Sequence, residues 1–90
     1  MLVALMAFDK NGALEVRKVN RDAHVAYLKS SNVVQQAGPF LDDAGEMCGS
    51  LIILDVPNFE AAHEWATNDP YAIAGLFREV SLIPWNRVIG

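Results

Sequence analysis

The two side chains best suited to move a proton are His24 and Asp69. Imidazole titrates nearest neutrality, so a half-buried ring facing a cleft can both take up and return a proton. A carboxylate on one ring nitrogen would orient that ring, making a two-residue acid/base unit. Asp69 stands in Asn68-Asp69-Pro70-Tyr71, where Pro70 fixes its own φ and steers Asp69 away from the helical conformation. A helix should therefore stop at this corner and a short one restart over Pro70 to Gly75, with the Asp69 side chain capping its free N–H groups. Capping and catalysis both stand as readings of Asp69. For His24 the choice is between acid/base work and a core histidine satisfied by a backbone carbonyl.

Arg21 lies one turn before His24, placed to hold an anionic substrate oxygen. A cation near a helix start is mildly unfavourable, which tilts Arg21 toward function over structure. Ser50, after Gly49 in an apolar run, presents a hydroxyl without the surroundings of a nucleophile elbow. Tyr71 reads as cleft wall or core. Cys48 has no positive neighbour in sequence to activate it and is read as a small buried hydrophobe. His63 belongs on the surface. Two histidines and one cysteine without ligand spacing give no metal site. No phosphate loop or cofactor motif is present, so the site is expected to work without a cofactor.

Composition excludes other classes of function. A net charge of -4 with no basic cluster argues against nucleic acid and anionic membrane surfaces. The apolar opening Met1 to Phe8 meets Asp9 and Lys10 too early to span a bilayer. A single cysteine permits no intrachain disulfide, so a cytoplasmic protein is expected. The 90 residues are expected to form a single domain.

The elements that must position these residues follow from periodicity. Leu2 to Phe8 reads as a strand buried on both faces and ended by Asp9-Lys10-Asn11-Gly12. Ala13 to Val19 reads as a loop, then Asn20 caps a helix over Arg21 to Ser31. Arg21, His24, Val25, Leu28 and Ser31 share one face of it. Val33 to Ala37 is a second strand, stopped by Gly38-Pro39. Glu46 to Val56 is a central strand. Asn58 caps a helix over Phe59 to Thr67, with Phe59, Ala62 and Ala66 buried and Trp65 at the margin. Phe77 to Val88 is the last strand, confined in part to an edge by Pro84.

Strand, helix, strand, strand, helix, strand, with right-handed crossovers, gives an α+β sandwich of the ferredoxin-like type. Both helices then cover one sheet face. The other leaves apolar residues of Leu2 to Phe8 and Leu51 to Leu54 in water, at a cost of several kcal/mol at roughly 25 cal/mol per Å². A homodimer packed sheet to sheet is the expected remedy. With His24 early on the first helix and Asp69 past the second, the pair would stand roughly 10 Å apart along the axis. Either the corner folds back or a second copy supplies the acid.

Arg21-x-x-His24, Ala37-Gly38-Pro39, Gly49-Ser50, Ala62-x-x-Trp65, Asp69-Pro70-Tyr71, Ala74-Gly75 and Pro84-Trp85 together resemble the YCII-related (YciI-like) family across nearly the whole chain. The resemblance implies a dimeric α+β barrel and a catalytic pair falling on His24 and Asp69. It also implies kinship of fold with muconolactone isomerases, and one branch of the family dehydrochlorinates a chlorinated hydroxyquinol. The segment Phe40 to Met47 is shorter than in typical members, which bears on the substrate. The leading expectation is a small enzyme performing elimination or isomerisation on an aromatic or lactone-like molecule. The alternatives are a module that binds a metabolite without changing it, and a purely structural His24–Asp69 pair.

Overall fold

The computed structural model describes residues 1–90. Its elements are β1 (Leu2–Asp9), α1 (Leu14–Ser30), β2 (Val34–Leu41), β3 (Met47–Asp55), α2 (Phe59–Thr67), α3 (Pro70–Ile73) and β4 (Phe77–Trp85). The four strands form one antiparallel sheet in the order β2-β3-β1-β4, so β1 and β3 are central and the proline-bearing strands β2 and β4 lie at the edges. This is the ferredoxin-like α+β topology expected from the element order. No helix is long and apolar enough to cross a membrane.

Alternation along the central strands sends Val3, Leu5 and Ala7 of β1 and Ile52 and Leu54 of β3 into the core beneath Ala62 and Trp65 of α2. Trp65 is thus a core residue, not a marginal one. Its indole N–H reaches Ser31 Oγ at 3.0 Å, and the Tyr27 hydroxyl donates to the Trp65 carbonyl at 2.8 Å. Those polar partners let a large ring with one donor be buried in a small core.

Four boundaries differ from expectation. Ala13 to Val19 is no loop, because α1 begins at Leu14 and continues through Asn20, whose amide donates to the Val16 carbonyl inside the helix instead of capping it. The apolar period fails in that first half because the inward position is Arg17. β2 runs through Gly38-Pro39, which an edge strand tolerates since one side of its backbone needs no ladder partner. α3 is a single turn, ending before the left-handed Gly75 (φ 74°). β4 stops at Trp85.

The face of the sheet turned away from the helices has an apolar middle, Ala4, Met6, Phe8, Leu51 and Ile53, with Gln36, Asp55, Glu79 and Ser81 toward its rim. Phe8 and Phe40 stack with centroids 5.5 Å apart, and Gly49 lies against them where a Cβ would overlap the Ala7 carbonyl oxygen. Leu51, Ile83 and Trp85 stand exposed on the same side.

Candidate active site

The helix α1 carries the site because its inward positions recur at the helical spacing: Arg17, Arg21, His24 and Leu28 all line one cavity. Asp9, the last residue of β1, continues the helix-facing set Val3, Leu5, Ala7 and so points up at Arg17. Arg17 Nε donates to Asp9 Oδ2 at 2.7 Å, and Nη2 donates to Asp9 Oδ1 at 2.8 Å and to Ser50 Oγ at 3.0 Å. Burial acts to lower the Arg17 pKa, but the hydrogen bond and charge of Asp9 prevail and raise it, so the guanidinium stays charged. A two-pronged fork of this kind is what allows an arginine so far from water.

Local sequence pattern puts Asp9 in a turn and gives Arg17 no role. The signal lies in the spacing Arg17, Arg21, His24, which extends the His24 face back through Ala13 to Val19.

At the other end of the cavity the Asn68–Pro70 corner folds back onto α1. Asp69 is extended (ψ 127°), as the following proline demands, and α3 starts at Pro70. Leu76 N–H returns to the Tyr71 carbonyl at 3.1 Å, and Lys10 N–H ties the Leu76 carbonyl to the end of β1 at 2.9 Å. These bonds tie α3 to the end of β1, and its packing on α1 closes the separation expected from helix lengths alone. His24 Nδ1 and Asp69 Oδ1 meet at 2.7 Å within one chain, so no second copy is needed to supply the acid.

One oxygen of Asp69 meets both the short helix and the histidine. Oδ1 accepts the Tyr71 backbone N–H at 2.9 Å, capping α3, while also holding the imidazole. Oδ2 is buried without a partner, a condition that ordinarily costs about 1–3 kcal/mol. A carboxylate on Nδ1 assigns the ring hydrogen to that nitrogen, leaving Nε2 as the atom that faces the cavity.

Tyr71 links the two buried pairs. Its ring stacks on His24 at 3.8 Å and 12°, and the Arg17 Cζ lies 4.7 Å from its centroid. Burial pushes the Tyr71 phenol pKa up despite the opposing charge of Arg17, so the hydroxyl keeps its proton. Arg21 lines the cavity on its solvent side and makes no ion pair within the chain. Of the residues singled out from sequence, His24, Arg21, Ser50 and Tyr71 line this one cavity, and Asp69 stands directly behind His24. Its volume is about 180 Å³, and Pro39 and Met47 form part of the wall. Cys48 lies outside it, its thiol toward the Phe40 carbonyl at 3.6 Å, and His63 is exposed against the edge of Phe59. No three His, Cys, Asp or Glu side chains gather as a metal-binding group.

The YCII-related domain model matches residues 1–86. The chain belongs to the YCII-related family. A YciI protein of Escherichia coli O6:H1 is 36% identical over 97 aligned residues, covering 98% of this chain and 99% of that one. An uncharacterized protein of Haemophilus influenzae is 34% identical over the same span, with the same coverage. Among solved structures, the chain resembles the 5-chloro-2-hydroxyhydroquinone dehydrochlorinase TftG of Burkholderia phenoliruptrix, solved with 2,5-dihydroxybenzoquinone. That match has a TM-score of 0.87 and 34% identity over 96% of this chain and 94% of the enzyme. The cofactor-independent oxygenase SnoaB of Streptomyces nogalater superposes with a TM-score of 0.64 at 13% identity, covering 98% of this chain and 95% of that one, which shows the shared fold alone.

Proposed function

We propose that the chain is a small enzyme in which His24 Nε2 moves a proton on a one-ring aromatic or lactone-like substrate and Asp69 orients the imidazole. The observation that carries this reading is the 2.7 Å bond from Nδ1 to a carboxylate oxygen, which turns Nε2 toward a cavity. Nε2 removes a proton next to an electron-withdrawing group. The electron pair left behind either expels a leaving group, as in elimination, or forms a double bond one position along, with Nε2–H returning the proton to the far end, as in isomerisation. A cavity of about 180 Å³ suits a single substituted ring, since one of about 150 Å³ holds benzene. The likeness to a dehydrochlorinase across almost the full chain favours elimination.

The test is chloride release from 5-chloro-2-hydroxyhydroquinone, run beside isomerisation of a small unsaturated lactone. His24→Asn should keep the circular dichroism of the parent and lose about 10²–10⁴-fold in turnover of whichever substrate is accepted. Undiminished turnover in that variant removes His24 from the mechanism.

We also propose that a second copy of the chain covers the open sheet face in a two-fold homodimer, since Leu51, Ile83 and Trp85 lie exposed there beside the Phe8–Phe40 stack. Leu51→Glu should shift the sedimenting species from twice the chain mass to once. A parent protein sedimenting as a monomer overturns this assignment.

A further inference from the structure

Ser50 sits 3% exposed on β3, with the cavity as its open side. Its oxygen accepts a hydrogen bond from Arg17 Nη2 at 3.0 Å, and the guanidinium cannot swing away because the Asp9 fork holds two of its nitrogens. With one lone pair engaged by a fixed donor, the hydroxyl's hydrogen must point elsewhere. A serine so arranged is neither a nucleophile nor a free rotor. Its O–H is free to donate into the site, with the cation behind it polarising the bond. Tyr71 and Arg21 line the same hollow as His24.

We infer that Ser50, held by Arg17, is an oxyanion donor, and that the cavity takes its one-ring ligand as a phenolate or enolate anion. Arg17 acts through Ser50 and is a positioning residue. The inference rests on the acid/base reading of His24: the charge left when Nε2 removes a proton settles on the oxygen that Ser50 meets. Such donors act where negative charge develops, and they need no reorganisation at the moment of reaction. Nη2 also bonds Asp9, so Ser50 can be altered without stranding a buried charge.

The experiment is calorimetric titration of the whole chain with 2,5-dihydroxybenzoquinone, an anion at neutral pH, and with hydroquinone, a neutral ring of similar size. The parent should prefer the anion by about tenfold or more, and Ser50→Ala should cut the anion's affinity by about tenfold while changing that of hydroquinone less. The quinone's visible absorption band should shift on binding to the parent and shift less in Ser50→Ala. Circular dichroism of Ser50→Ala checks that the variant is folded. An anion preference and a band shift that survive Ser50→Ala overturn the inference and leave the His24 reading standing, provided His24→Asn still loses turnover. Equal binding of both rings, or tighter binding of hydroquinone, also overturns it. Binding of neither ring, together with turnover indifferent to His24, overturns this inference and the proposed function at once.

Discussion

The imidazole of His24 lies 3.8 Å from the Tyr71 ring and within 12° of parallel to it. Asp69 stands two residues before Tyr71 and bonds both the imidazole and the Tyr71 backbone, so one short turn, α3, sets the ring's plane and its tautomer together. A side chain that is 2% exposed and packed against an imidazole and a guanidinium contributes through its ring more than its hydroxyl. Tyr71→Phe should therefore unfold close to the parent in urea, whereas Tyr71→Ala should lose about 3–5 kcal/mol. Equal losses in the two variants would assign the stability to the hydroxyl instead.

Asp69→Asn separates capping from orientation. Asparagine caps helices about as well as aspartate, so the α3 turn is kept and the melting temperature should move by no more than a few degrees. The carboxylate charge behind His24 is lost, and turnover should fall by about 10² or more. A large drop in melting temperature would point to a structural role for the pair.

The Arg17–Asp9 pair predicts a non-additive cycle. Arg17→Met leaves Asp9 buried and unpaired, which should cost about 3–5 kcal/mol. Adding Asp9→Leu should recover most of that loss, because two apolar side chains of similar volume leave no stranded charge. Denaturant melts of the parent, the two single variants and the double variant give the coupling energy directly.

Alkaline pH should weaken the fold through its tyrosines. Burial raises the pKa of both Tyr27 and Tyr71 above the ordinary value of roughly 10. The unfolded chain then loses those protons first. Stability from this source is fully present below about pH 10 and falls as pH rises toward the folded-state values. Tyrosinate absorbance should lag behind that of free tyrosine until unfolding begins, and Tyr71→Phe should flatten the fall in stability. A normal titration near 10 in the folded protein would contradict this.

Gly49→Ala tests the close approach of β3 to β1 on the open face. The added methyl would overlap the Ala7 carbonyl oxygen and crowd Phe40, neither of which yields easily, and overpacking of this kind costs about 1–3 kcal/mol. Thermal melts of the variant measure it.

The sequence by itself determined the ferredoxin-like order of elements, the two central strands, the Asn58 cap and the proline corner at Asp69, because apolar alternation, capping residues and proline act over a few neighbouring positions. It also pointed to His24, Arg21, Ser50 and Tyr71, which the fold gathers around one cavity. Only the tertiary structure decided that Asp69 reaches His24 in the same chain, since that depends on bonds from Leu76 to Tyr71 and Lys10 and on the packing of α3 on α1. Only there, too, does Arg17 appear in the site. A buried charge breaks the apolar period that marks a helix, and the partner that makes its burial tolerable, Asp9, lies on another element.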